Sequence, residues 1–205
     1  MGEPAKSLVF PWNDEDRPWP AQGQWTYADY ARLPDDGHRY EVIRGHLYVT
    51  PPPIFFHQHV VTELSRLLGN FVVEGALGRV FVAPVEIVLP NRIATPIQPD
   101  VVFFRIGNQP RLKDQKFHGV PDLVVEVESP RTRNRDWTTK REAYLEAGVP
   151  EYWLASSRTC TVTVLTLSED RTRYVELGCF GLGDTIRSVV LPGLAIPVDP
   201  LFPPE

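Results

Sequence analysis

The run Leu123-Val124-Val125-Glu126-Val127 reads as a strand buried on both faces, yet a carboxylate stands near its middle. Burying an ionised carboxylate without a partner costs several kcal/mol, so Glu126 must meet a cation, take up a proton or reach a wet cleft. Asp100 heads a second apolar run, Asp100-Val101-Val102-Phe103, behind Gln98-Pro99. If these two strands lie side by side, two carboxylate oxygens and a backbone carbonyl make a site suited to Mg2+ or Mn2+. Plainer readings stand beside this one. Glu126 could form a structural ion pair or sit at a solvated strand end. A Pro-Asp pair before a strand also serves turn chemistry, because Asp caps local backbone donors. Turn chemistry is the reading taken for Asp122, in Pro121-Asp122.

Lysine occurs only at positions 6, 113, 116 and 140, and arginine supplies most of the positive charge. A compact ammonium positions a water or meets charge developing at one point better than a guanidinium fork does. Lys140 falls in the first turns of the helix after Glu126 and can project back towards it; its alternative is a solvated charge on a helix face. Glu41, between Tyr40 and Val42, needs a partner if it is buried. His57 and His59 precede a helix, but no cysteine or third histidine is placed to complete a zinc site, so His57 reads as a hydrogen-bonding residue near the helix start with some chance of touching substrate. Arg131, Arg133, Arg135 and Arg141 cluster around one loop and helix start, giving local positive potential or, more simply, a solvated loop balancing nearby acids.

These residues must be positioned by a chain of 205 residues with ordinary apolar and charged fractions, enough for one substantial core. No stretch approaches the ~20 apolar residues that span a bilayer, and the chain reads as cytosolic with no membrane partner. Cys160 and Cys179 lack metal-ligand spacing and read as reduced thiols. The net charge of −5 argues against wholesale phosphate neutralisation as the mode of gripping nucleic acid.

Residues 1–25 read as a tail lying on the surface or partly disordered, and residues 26–205 as the domain. Thr26 and Asp29 resemble a capping box opening a short helix through Leu33. Tyr40 to Thr50 reads as a β-hairpin around Arg44-Gly45. From Gln58 to Glu74, Val60, Val61, Leu64, Leu67, Leu68, Phe71 and Val72 recur at helical spacing. Strands are predicted at Val80 to Leu89, Asp100 to Phe104 and Leu123 to Glu128. A helix follows from about Trp137 to Ala147, with Asp136 as N-cap and Gly148 as stop. Tyr152 to Ala155 closes the set with a meander of Thr161 to Leu167 and Arg173 to Leu177. That order favours a mixed sheet flanked by helices over a sandwich or a bundle.

Several segments in order carry a resemblance: Tyr40-Glu41-Val42-Ile43-Arg44-Gly45, His57-Gln58, Gln98-Pro99-Asp100, Pro121 through Val127, Ser129-Pro130-Arg131-Thr132, Asp136 with Lys140 and Tyr144, and Gly148 through Trp153. Together they resemble the bacterial Uma-two family, described as endonucleases of the PD-(D/E)XK restriction-nuclease-like superfamily, from about Thr26 to the C-terminus. The resemblance implies a restriction-endonuclease-like α/β (α+β mixed) fold, a four-stranded mixed core sheet flanked by helices, here with an added hairpin and C-terminal meander. It implies Asp100 and Glu126 as ligands of Mg2+ or Mn2+, with the carbonyl of Val127 as a third. The superfamily's lysine lies two residues after the acid, where this chain has Glu128; Lys140 looks like a migrated substitute. Glu41 matches the superfamily's first-helix acid loosely, because it falls on a strand. The implied activity is hydrolysis of phosphodiester bonds in nucleic acid, DNA foremost, with His57, Arg131, Arg133 and Arg135 towards the substrate. Two other readings share the fold: a catalytically degenerate nucleic-acid-binding or oligomeric scaffold, and a metal hydrolase acting on another phosphate ester. A homodimer is the base-rate expectation, and Trp153 either packs between subunits or fills the core.

Overall fold

The computed structural model describes residues 18–50, 52–108, 110–113 and 115–202. Most of the stretch expected as a tail, residues 1–17, lies outside the described residues. Its last part is packed: Trp25 is buried against Tyr40, Val42 and Leu47 and stacks on Trp19, while Gln22 bonds both the amide and the carbonyl of Leu47.

The Thr26–Asp29 capping box forms and opens α1 (Tyr27–Tyr30), shorter than the sequence suggests. β1 (Arg39–Ile43) and β2 (His46–Thr50) make the predicted antiparallel hairpin. Arg44 and Gly45 both take positive φ, +48° and +74°, the geometry of a two-residue hairpin turn. A Cβ at position 45 would lie 2.5 Å from the carbonyl oxygen of Gly23, so only glycine fits. α2 (Phe55–Glu74) begins three residues before the predicted start. Phe55 faces solvent and so stands outside the apolar periodicity that marks the rest of the helix.

The strand expected from Val80 to Leu89 divides in two, β3 (Gly78–Val82) and β4 (Ile87–Val88), around Pro84, which cannot donate to a ladder. After β5 (Val101–Arg105) come two short strands that the sequence did not announce, β6 (Arg111–Lys113) and β7 (Lys116–His118); with β4 they form a three-stranded sheet. β8 (Leu123–Glu128) follows. The next helical run covers residues 133–147, as α3 (Arg133–Arg135), a π-helical stretch (Asp136–Lys140) and α4 (Arg141–Ala147). It ends at Gly148, in the left-handed conformation expected of the stop. Asp136 is not its N-cap but an interior residue, because the turn that opens the helix is closed by Ser129 and Thr132 through reciprocal backbone-to-hydroxyl bonds. β9 (Glu151–Ser156), β10 (Thr161–Leu167), β11 (Tyr174–Phe180) and a small ladder of β12 (Thr185–Ile186) with β13 (Ile196–Pro197) complete the chain.

The central sheet has six strands in the order β11-β10-β9-β8-β5-β3, mixed as predicted, with β8 and β9 parallel and every other neighbour antiparallel. Alternation along β8 divides its side chains between two cores. Leu123, Val125 and Val127 pack with Val60, Leu64 and Leu68 of α2. Val124, by contrast, packs with Tyr144 of α4 and Ile43 of the hairpin, so Glu126 belongs to this second face. Trp153 fills the first core and is fully buried, which removes it as an interface residue. Among the described residues no helix is long and apolar enough to cross a membrane.

Candidate active site

Lys140 and Tyr144 are one helical turn apart and share a face. Both reach Glu126 Oε1, Lys140 Nζ at 2.9 Å and the Tyr144 hydroxyl at 2.7 Å. Lys140 Nζ also lies 3.0 Å from Glu41 Oε1 and donates to the carbonyl of Gln98 at 3.3 Å. Its three N–H groups are therefore all engaged. Lys140 stands in a π-helical stretch, a local insertion that recurs at functional sites.

Glu41, on β1, binds as a clamp. Its Oε1 accepts from Lys140 and from the Gln98 amide at 2.8 Å; its Oε2 meets Arg135 at 3.3 Å and the Thr50 hydroxyl at 3.3 Å. Burial pushes this carboxyl up, but Lys140 and Arg135 outweigh it and hold Glu41 down at about 2. Glu126 goes the other way. Burial, with Asp100, Asp136 and Glu41 nearby, raises it to about 8 against the pull of Lys140. Asp136 is likewise lifted by burial, to about 6, and its Oδ1 is buried without a hydrogen-bond partner.

Asp100 stands one step beyond the Val101–Val125 pair of β5 and β8, which places it opposite Glu126 at the open end of the two strands. Its Oδ2 accepts from the Val127 amide at 2.8 Å and lies 3.1 Å from His57 Nε2, while Arg39 is 3.9 Å from its Oδ1. Burial opposes its ionisation, yet His57, Lys140 and the Val127 amide together keep its carboxyl below the ordinary value.

The structure thus brings Asp100, Glu126, Lys140, Glu41 and His57 together and treats the arginines unequally. Arg131 is exposed and lines a cavity beside Asp100. Arg133 is half exposed and pairs with Glu128 at 3.3 Å. Arg135, read from sequence as facing substrate, is turned inward onto Glu41 and Thr50, because Glu41 needs a second cation. Glu128, at the place of the superfamily's lysine, is buried and accepts from the Trp137 indole. His57 and His59 diverge, the latter reaching the carbonyl of Pro200. Asp122, expected to cap local donors in its own turn, instead accepts from groups distant in the chain, the Arg105 amide and the Asn108 side chain. Tyr144, Gln98, Arg39 and Thr50 also belong to the site, although residue type alone does not mark them. The four-residue spacing from Lys140 could have pointed to Tyr144; Gln98 acts through its main chain, which leaves no trace in residue type.

Two adjoining cavities, of about 280 and 340 Å3, share Arg39, Thr50, Pro52, Pro53 and His57 as walls; Asp100 lines the first and Arg131 the second. A larger cavity of about 780 Å3, beside Ser65, Phe81 and Lys116, touches none of the clustered acids.

The donor set suits a hard divalent cation. Asp100 Oδ1 and Glu126 Oε2 make no hydrogen bond among the described residues, so each carboxylate keeps one oxygen for an ion. Four buried acids, Glu41, Asp100, Glu126 and Asp136, lie among Lys140, Arg135 and Arg39; burial and the neighbouring acids raise Glu126, and an ion held there would favour its ionised form. No three His, Cys, Asp or Glu side chains among the described residues form a ready-made cage. An ion here would rest on two carboxylates, a main-chain oxygen such as that of Val127 and water, the ligand pattern that Mg2+ accepts.

Comparison with known proteins agrees with this architecture. The Uma2 family model, described as putative restriction endonuclease, matches residues 27–199. A crystal structure described as a putative nuclease belonging to DUF820 from Anabaena variabilis ATCC 29413 superposes with a TM-score of 0.72 at 21% identity, covering 87% of this chain and 97% of the other. No curated protein matches the chain. The family resemblance and the mixed-sheet fold read from the sequence are both borne out.

Proposed function

The chain belongs to the Uma2 family of restriction-endonuclease-like proteins, and from that premise we propose that it is a metal-dependent endonuclease hydrolysing phosphodiester bonds of nucleic acid, DNA foremost. The observation that carries this reading is the convergence of Asp100, Glu126 and Lys140 at the open strand ends beside an arginine-lined cleft. Asp100 and Glu126 would hold Mg2+ or Mn2+ through Oδ1 and Oε2, the oxygens without a hydrogen bond among the described residues, with the Val127 carbonyl as a further ligand. Such an ion supplies a water of lowered pKa and a counter-charge for the phosphoryl oxygens. The chain's own residues do the rest. His57 and the Val127 amide fix the orientation of Asp100, Tyr144 and Lys140 fix Glu126, and Glu41 fixes Lys140. Arg39 and Arg131 meet the phosphates of the strand.

The test is cleavage of plasmid and oligonucleotide panels with Mg2+ or Mn2+. Activity lost in Asp100→Asn and in Glu126→Gln supports the assignment; activity retained in both would sink it.

One observation favours a second reading. With all three of its donors engaged, Lys140 has none left for a water or a phosphate, as in a scaffold whose ammonium is purely structural. Calorimetric titration with Mn2+ separates the two. Binding abolished in the double carboxylate variant favours the nuclease, and no heat at millimolar metal favours the scaffold.

A further inference from the structure

On the nuclease reading, the shape of the cleft bears on the form in which the substrate arrives. Glu41, Asp100, Glu126 and Lys140 are all buried, Asp100 at 4% exposure being the most accessible. Asp100, the most accessible of them, lines the first of the two adjoining cavities, and each cavity is at the small end of the range for ligand pockets. Pro52 and Pro53 and the segment Ser129–Thr132 wall these cavities. A base-paired duplex is stiff and can present an inner nucleotide to such a pocket only by extruding it, at the cost of unstacking and unpairing. An unpaired strand pays no such cost.

The mouth of the cleft carries the second observation. Ile54, which lines the second cavity, is 58% exposed, and Phe55 beside it is 86% exposed at the first turn of α2. Solvent-facing aromatics next to cationic side chains form the platforms on which single-stranded bases stack, because every base has a π-face and every linkage a charge. Arg131 supplies the cation at the second cavity and makes no ion pair among the described residues. Arg39 supplies it deeper in, its Nε buried without a hydrogen-bond partner and its NH1 3.9 Å from Asp100. The walls thus combine cationic, hydroxyl and apolar groups, the chemistry complementary to a single nucleotide.

We infer that the substrate is an unpaired nucleic-acid strand, one nucleotide of which enters the Arg39–His57–Arg131 cleft while a neighbouring base stacks on Phe55. This rests on the nuclease reading but is tested without cleavage, by fluorescence anisotropy in chelator with end-labelled single-stranded DNA, single-stranded RNA of the same sequence and the DNA duplex. The wild-type chain is expected to bind the preferred single strand at least about tenfold more tightly than the duplex at equal salt. The DNA and RNA arms identify the sugar. Phe55→Ala, an exposed position, should weaken single-strand binding by about tenfold with little effect on the duplex, and Phe55→Trp should restore it. Arg131→Ala should flatten the salt dependence of single-strand binding. Duplex binding as tight as single-strand binding, or a neutral Phe55→Ala, overturns the inference and leaves the nuclease reading standing. A shift of Phe55→Ala to a smaller species in sedimentation makes Phe55 a contact between copies and also overturns it. Absence of binding to all three polymers by the wild type also overturns the inference, while the nuclease reading is decided by the cleavage test.

Discussion

Two glutamates lie buried on neighbouring strands of the central sheet, Glu126 on β8 and Glu151 on β9, and they are kept in opposite ways. Glu151, on the α2 face, accepts from the Trp153 indole at 2.7 Å and from the amides of Val189 and Val190 at 2.8 and 3.1 Å. Both its oxygens are occupied by neutral donors fixed in the scaffold. Glu126, on the other face, has one oxygen shared by Lys140 and Tyr144 and the second without a hydrogen bond among the described residues, and burial, with Asp100, Asp136 and Glu41 nearby, pushes its carboxyl up. The difference separates a carboxylate whose lone pairs the fold has filled from one with an oxygen left open. Burial by itself does not tell them apart; the donors around each one do.

The comparison breaks most visibly in activity. Asp100→Asn and Glu126→Gln should each lower cleavage with Mg2+ by roughly a thousandfold or more, whereas a Glu151 variant that stays folded should cleave normally. Lys140→Ala comes next. It leaves Glu41 and Glu126 without their shared cation and should cost about 3–5 kcal/mol in denaturant unfolding. Adding Glu126→Gln to that background should recover part of the loss, and simple additivity would show the two are uncoupled. Glu151→Ala strips the acceptor from two amides and an indole and should lower stability by roughly 2–4 kcal/mol while Mn2+ affinity stays as it was.

The pH dependence sharpens the contrast further. Glu126 has its folded pKa raised from 4.5 to about 8, so the metal-free protein is favoured by its protonated form at low pH and loses that stability as pH rises through 8. Thermal melts in chelator should show wild type falling over this window and Glu126→Gln, permanently neutral, falling less. Glu41 behaves with the opposite sign. Held at about 2, it contributes stability above its ordinary pKa of 4.5 that disappears as pH drops towards 2, so Glu41→Gln should flatten the acid limb. The smallest effect belongs to the exposed pairs of Arg44 with Glu142 and Glu146, where Glu146→Ala should change stability by no more than about 0.5 kcal/mol.

Much of the frame was legible because it is written in local pattern. The hairpin follows from alternating residues around Arg44-Gly45, α2 from its apolar period, and the end of α4 from Gly148-Val149-Pro150. β6 and β7 were not legible, since each has only three residues and the exposed β6, Arg111-Leu112-Lys113, offers no apolar alternation to read. Asp136 looked like an N-cap because Asp before a helical pattern usually is one, but the Ser129–Thr132 turn had already closed the helix start. Arg135 looked like its exposed neighbours in a basic cluster. Only the position of Glu41 on β1 draws it inward, and no spacing within residues 131–141 encodes a partner so distant in the chain.

The sequence by itself narrowed the acid of β8 to a few fates, a cation, a proton or a solvated end, because an ionised carboxylate in an apolar strand cannot stay buried and unpaired. It also determined that the segments belong in the order of a mixed sheet with helices on its faces. Which acid is saturated with donors and which keeps an oxygen open was decided only by tertiary structure. That choice depends on lone pairs filled or left open by partners from β1, the π-helical stretch, α4 and the loop at Val189, whose distances along the chain carry no periodic signal.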